Sequence, residues 1–362
     1  MIVIADDITG AAEIAGIAFS KGHQVSLVCG EGIATSETTV IATDTRSMTE
    51  TEAVAETQRI AKVHKRNRSL TEVKATSSSA LCVLFKKTDS ALRGHVVAEL
   101  STLMQATGYE RAVYLPANPS KGRIIRNGIY YISETPIAET AFSYDPEFPA
   151  KTSVLKERFP DAEEKGIIMP DACSEEDIRQ VIAAYDDGKT IFAGAADLFS
   201  AMLNANQGVS PQDSQDLPHD SQKTLILCGS TQSKALDLGI AIAPMPLEIY
   251  DGSSDISLWN TEAYAKSGSI ILTIPHTHRT GKEIAVHLRT VMAEMAKRLV
   301  NEHCPDQLII EGGATAWATL QALGWKDFQI ARQIAPGVVQ MSATNGTLVT
   351  LKPGSYPWGN LF

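Results

Sequence analysis

The 362-residue sequence lacks the marks of several large classes of protein. It has no apolar run near the ~20 residues that a membrane-crossing helix needs. Asp6 and Asp7 arrive too early to leave room for the apolar core of a secretion signal. Its five cysteines are odd in number, widely spaced and free of any CxxC, which speaks against a disulfide framework and against a zinc site. Cys82 and Cys228 lie inside apolar runs and read as buried thiols, so a cytoplasmic location is expected. There is no basic excess either. The net charge is −10, whereas a nucleic-acid grip is built on cations. The densest basic stretch, Lys62 to Arg68, reads as a solvated helix end or loop. Neither GxxxxGK[ST] nor GxGxxG occurs, and no tandem repeat is visible.

What is present is a repeated sequence of short apolar run, polar or glycine-rich turn, and helical pattern. Met1 to Ala5 ends in Asp6-Asp7-Ile8-Thr9-Gly10, and Thr39 to Ala42 ends in Thr43-Asp44-Thr45-Arg46. Leu81 to Phe85 ends in Lys86-Lys87-Thr88-Asp89-Ser90, and Ala112 to Leu115 ends in Pro116-Ala117-Asn118-Pro119. Fully apolar strands alternating with helices predict a parallel sheet covered on both faces. Right-handed crossovers bring every strand's carboxyl end to one edge, where such sheets bind ligands. The polar groups of these turns should therefore converge.

A polar stretch around residues 204–222 has almost nothing to bury and reads as a linker. Beyond it the pattern restarts at Thr224 to Cys228, Ser269 to Ile274, Gln307 to Ile310 and Thr347 to Leu351. The expected architecture is α/β, with two domains, each a mostly parallel sheet flanked by helices, and a cleft between them. The boundaries predicted are 1–205 for the first domain, 206–222 for the linker and 223–362 for the second.

Several constellations could bear chemistry. Two adjacent carboxylates, Asp6 and Asp7, at a strand end suit ligand binding or the capping of the next helix. Lys86, Lys87, Asp89, Ser90 and Arg93 gather cations, an acid and a hydroxyl at one strand-to-helix turn. An arginine fork suits a substrate carboxylate, and an aspartate suits hydroxyls. Lys121 and Arg123 lie in a loop stiffened by Pro116, Pro119 and Gly122, as anion contacts or as plain surface. Gly312-Gly313-Ala314-Thr315, and more weakly Gly229-Ser230-Thr231, can aim backbone N–H groups at a phosphate. Ala335-Pro336-Gly337 and Lys352-Pro353-Gly354 add rigid turns, with Lys352 a candidate phosphate contact. His276 and His278 have no third ligand nearby in sequence, so no protein-held metal is expected.

Together these motifs resemble the four-carbon acid sugar kinase family. The resemblance rests on Ile4 through Ala11, Lys86 through Gly94, Pro116 through Arg123 and Gly312 through Thr315, with Pro336-Gly337 and Lys352-Pro353-Gly354 as closing turns. The chain departs from the family pattern at Ala91, His95 and Ala314, and from Lys352 to Tyr356. The resemblance implies an N-terminal sugar-acid domain, a C-terminal ATP-binding domain, and phosphorylation of the terminal hydroxyl of a threonate- or erythronate-type acid. Carried over by position, Asp6, Asp7, Lys86, Asp89 and Arg93 would contact substrate. Gly229, Ser230, Gly312, Gly313, Thr315, Gly337 and Gly354 would surround the nucleotide, with Mg2+ arriving on the ATP phosphates. Asp7 or Asp89 would accept the proton of the attacking hydroxyl. A non-catalytic sugar-acid sensor and an NAD-dependent dehydrogenase are the alternatives. The oligomeric state is open, a homodimer included.

Overall fold

A computed structural model describes residues 1–30, 36–72, 84–145, 147–203, 223–230, 238–275, 281–354, 356–358 and 361. The expected linker at 206–222, Cys82, Thr231, His276 and His278 lie outside the described residues.

Along the first half of the chain run β1 (Ile2–Ala5), α1 (Ile8–Ser20), β2 (Val25–Cys29), β3 (Thr38–Ala42), α2 (Glu50–Glu72), β4 (Leu84–Lys87), α3 (Val96–Thr107) and β5 (Arg111–Leu115). There follow β6 (Arg123–Arg126), β7 (Ile129–Ile132), β8 (Thr135–Pro136), α4 (Leu155–Arg158), β9 (Ile167–Ile168), α5 (Glu175–Tyr185), β10 (Thr190–Gly194) and α6 (Ala196–Met202). The second half contains β11 (Thr224–Cys228), β12 (Ala241–Pro244), α7 (Leu247–Tyr250), α8 (Glu262–Ser267), β13 (Ser269–Thr273), α9 (Lys282–His303), β14 (Gln307–Glu311), α10 (Gly313–Leu323), β15 (Asp327–Ala335), β16 (Val338–Ala343) and β17 (Leu348–Lys352).

The chain packs as two compact units. The first comprises residues 1–14 and 35–207, the second 15–34 and 208–362. In the first, β3-β1-β4-β10-β5-β9 form a parallel sheet. Every residue of β1, β3, β4 and β10 is buried, as strands covered on both faces must be. From β1 the chain builds β3 on one side and β4 on the other, so β1 is the switch point at which such a sheet opens a crevice. A small antiparallel sheet, β6-β7-β8, is built from the segment after β5.

The second unit has the parallel order β12-β13-β11-β14-β17, extended by antiparallel β16, β15 and β2. Its helix α9 buries Met292, Met295, Ala296 and Leu299 on one stripe.

Residues 15–34 fall outside the first unit, whereas the predicted first domain ran unbroken from 1 to 205. Residues 15–34 pack with the second unit, because β2 joins β15 through Asp327↔Val28 to Gln329↔Ser26. Gly16 permits the fit of α1 there: a Cβ on it would stand 2.8 Å from the Val339 side chain.

Candidate active site

In the first unit the strand ends bring together three carboxylates around one guanidinium. Arg46 donates from Nε and Nη2 to the two oxygens of Asp6, at 3.0 and 2.8 Å. Its Nη2 also reaches Asp7 Oδ1 at 3.0 Å, and its Nη1 lies 3.7 Å from Asp89 Oδ1. The four residues follow β1, β3 and β4, the three strands at the switch point. Arg46 is turned inward by a local device. Asp44 takes a left-handed conformation, φ 55°, and the Arg46 N–H donates to the Asp6 carbonyl at 3.2 Å.

Around this centre the charges are paired. Arg93 grips Asp89 with Nε and Nη2 at 2.8 and 3.0 Å and stands 3.6 Å from Asp145. Lys87 lies 3.6 Å from Glu13, which also accepts from Lys121 at 2.5 Å. Asp7 caps α1: its Oδ1 accepts from the Gly10 N–H at 2.9 Å, and its Oδ2 from the Thr9 hydroxyl at 2.5 Å. Capping and clustering, alternatives in the sequence, are thus combined in Asp7.

The environments push the carboxyl groups apart. Burial, helped by the neighbouring charge of Asp7, raises Asp6 above the ordinary aspartate value despite Arg46. Burial acts the same way on Asp7, but Arg46, Lys87 and its two hydrogen bonds outweigh it and hold that carboxyl low. Asp89 is likewise held well below the ordinary aspartate value, since Arg46 and Arg93 together overcome its burial.

The two lysines of β4 point to opposite faces, as strand alternation requires. Lys87 faces the crevice. Lys86 instead is fully buried in an ion pair with Glu99 of α3, and Glu99 also accepts from Thr45 at 3.0 Å and Thr57 at 3.3 Å. Lys86 is thus drawn away from the crevice, because its ammonium has a buried anion on the far side of the strand. It braces the turn before Arg46 from behind.

In the second unit the ends of β11, β14 and β17 come together. The Gly229 N–H donates to the Glu311 carbonyl at 3.2 Å and the Gly312 N–H to the Lys352 carbonyl at 2.9 Å. A Cβ on Gly229 would overlap the Thr315 side chain, and one on Gly354 the Ser230 hydroxyl, so only glycine allows these turns to approach. Gly312, φ 101°, precedes α10, whose first turn begins at Gly313 and contains buried Thr315. Lys352 is buried on Glu311 at 2.5 Å and donates to the carbonyls of Pro353 and Gly354. Pro336-Gly337 form the β15–β16 turn, and the pairing Val339↔Leu351 sets that turn beside the end of β17. The result is a cradle made chiefly of backbone, with the N-terminus of α10 at its floor.

Comparison with known proteins bears on both places. Residues 1–161 match a family described as "Sugar-binding N-terminal domain", and residues 258–356 match one described as "Nucleotide-binding C-terminal domain". The chain belongs to the four-carbon acid sugar kinase family. It is 23% identical to a D-threonate kinase of Bordetella bronchiseptica, over 95% of this chain and 90% of that protein. It is 25% identical to a 3-oxo-tetronate kinase of Brucella melitensis, over 98% and 92%. Its fold is shared with a Haemophilus influenzae protein at a TM-score of 0.69 and 19% identity, covering 99% of this chain and 97% of that one.

Of the predicted substrate residues, Asp6, Asp7, Lys87, Asp89, Ser90 and Arg93 lie at the carboxyl edge of the first sheet, whereas Lys86 turns to its far side. Gly229, Ser230, Gly312, Gly313, Thr315, Gly337, Lys352 and Gly354 lie at the corresponding edge of the second. Sequence reasoning did not single out Arg46, Glu13, Glu99 or Glu311. Arg46 had a signal, since it closes the polar turn after β3. Glu99 and Glu311 had none, because each is defined only by the lysine it meets.

Proposed function

We propose that this chain is an ATP-dependent kinase that phosphorylates the terminal hydroxyl of a four-carbon sugar acid of the threonate or erythronate type. The observation that supports it most is the Arg46 cluster: carboxylates and cations from three strand ends at the switch point of a sugar-binding domain. Carboxylates with a lone pair to spare take sugar hydroxyls, and fixed cations keep them ionised.

The first unit would hold the acceptor. Asp6 has both oxygens on Arg46 and Asp89 both on Arg93, so these two serve to fix the arginines. Asp7 Oδ2 has the Thr9 hydroxyl as its donor and retains room for a substrate hydroxyl, which makes Asp7 the better proton acceptor. Its lowered pKa keeps it ionised at neutral pH. A weakly basic carboxylate suffices, because phosphoryl transfer depends mainly on positioning and charge neutralisation.

The second unit would hold the phosphoryl donor, its phosphates against the N–H groups of the first turn of α10, from Gly313 onward, in the contour shaped by Gly229, Gly312 and Gly354. These glycine turns, closed to any Cβ, fit a phosphate chain. Mg2+ carried by the ATP phosphates would neutralise their charge.

The test is ADP release with ATP, Mg2+ and a panel of D- and L-threonate, D-erythronate, 3-oxo-tetronate and glycerate. At least one four-carbon acid is expected to turn over. Absence of ADP with all of them would refute the kinase reading, and binding without turnover would favour a sensor.

A further inference from the structure

The acceptor would bring a negative charge into a crevice already rich in carboxylates. It needs a cation that is not already committed. Arg46 is spent on Asp6, Asp7 and Asp89, Arg93 on Asp89 and Asp145, and Lys87 and Lys121 on Glu13. Two arginines near the Asp89–Gly94 turn have no carboxylate partner among the described residues, Arg123 and Arg158. Arg158 is used up on backbone. It donates to the Leu92 carbonyl from Nε at 3.3 Å and Nη2 at 2.9 Å, and to the carbonyls of Pro149 at 3.0 Å and Phe148 at 3.4 Å. Those bonds hold Leu92 in its left-handed conformation, φ 62°.

Arg123 differs. Among the described residues its one side-chain hydrogen bond goes from Nη1 to the hydroxyl of Ser90, next to Asp89. The guanidinium is half-buried, 5.9 Å from the Phe142 ring centre, and Arg93 stands 5.8 Å from the same ring. Its backbone is fixed by paired hydrogen bonds with Asn118, at 2.7 and 3.1 Å. Buried Asn118 in turn accepts from the Asp197 N–H at 3.0 Å. A planar fork on a fixed backbone, with most of its donors unclaimed among the described residues, is suited to a bidentate carboxylate.

We infer that Arg123 takes the carboxylate of the acceptor and so distinguishes a sugar acid from the neutral alditol of the same configuration. This rests on the proposed acceptor and adds the group that reads its charge.

The experiment is calorimetry of the best four-carbon acid, of its alditol and of ADP, on wild type and on Arg123→Gln, Arg123→Lys and Arg158→Gln. Arg123→Gln should weaken the acid about 30-fold or more, toward the alditol, and leave alditol and ADP unchanged. Unchanged ADP affinity reports an intact protein. Arg123→Lys should recover part of the loss. Arg158→Gln should lower the melting temperature and keep the preference for acid over alditol. The inference is overturned if Arg123→Gln binds acid like wild type, loses acid and alditol alike, or if Arg158→Gln erases the preference instead. Should wild type bind no four-carbon acid at all, the proposed function fails before any variant is compared, and this assignment falls with it.

Discussion

Each unit contains a buried lysine–glutamate pair at a strand's carboxyl end, and the two are put to different uses. Lys86–Glu99 in the first unit is braced by the hydroxyls of Thr45 and Thr57, so it supports side chains. Lys352–Glu311 in the second turns its remaining donors onto the carbonyls of Pro353 and Gly354, so it shapes backbone. The same contrast runs through both sites. The first crevice is an array of charged side chains whose identities would set the chemistry of the proposed reaction. The second is a contour of main chain in which glycine matters for what it lacks. A varied acceptor calls for tunable side chains, whereas a phosphate chain is recognised by N–H groups that any sequence supplies if it can adopt the shape.

The contrast can be broken most forcefully at Arg46. Arg46→Met strips three carboxylates of their shared cation, one of them the buried Asp6. Leaving such charges unpaired costs about 3–5 kcal/mol. Urea denaturation should show that loss, and turnover should fall below detection. Arg46→Met with wild-type stability would mean the cluster is not an electrostatic unit.

A smaller effect is expected at Gly229. Gly229→Ala would force a methyl against Thr315 in the first turn of α10. Overpacking of this kind costs about 1–3 kcal/mol, so ADP should bind roughly tenfold more weakly while the acid binds as before. An equal loss of both ligands would erase the distinction between the two units.

The smallest effect concerns acid. Asp89 has a folded pKa far below its ordinary 3.8, through Arg46 and Arg93 acting against burial. Its ionised form therefore stabilises the fold above that value, and the contribution drains away as pH falls below it. The stability gap between wild type and Asp89→Asn should be constant from pH 7 to about 5 and shrink toward pH 3. Asp6 works in the opposite sense. Its raised pKa favours the fold at low pH, and that contribution is lost as pH rises through the folded value. A gap that widens on acidification would contradict the assignment of Asp89 as an ionised partner of two arginines.

Much of this was legible in the sequence because strands buried on both faces are uniformly apolar and their polar sequels are abrupt. Asp6, Asp7, Lys87 and Asp89 each follow such a run, and parallel topology alone makes them converge. Lys86 was legible as polar but not as to face. Its register on β4 sends it to Glu99, a partner 13 residues away on a helix face that reads as ordinary. Arg46 was hidden by backbone geometry, since only the left-handed turn at Asp44 swings it inward. The departure of residues 15–34 to the second unit was not legible, because edge pairing of β2 with β15 joins segments some 300 residues apart, and local pattern does not encode a partner at that range.

The central claim is that side chains of the first unit hold the acid while backbone of the second holds the nucleotide. A crystal structure with a non-hydrolysable ATP analogue and the acid found by the turnover assay tests it most directly. The account predicts a substrate hydroxyl within hydrogen-bond distance of Asp7, and phosphate oxygens on the N–H groups of Gly313 or Ala314 at the start of α10. Acid bound on the second unit, or the α- and β-phosphates seated among Asp6, Asp7 and Arg46, would contradict it.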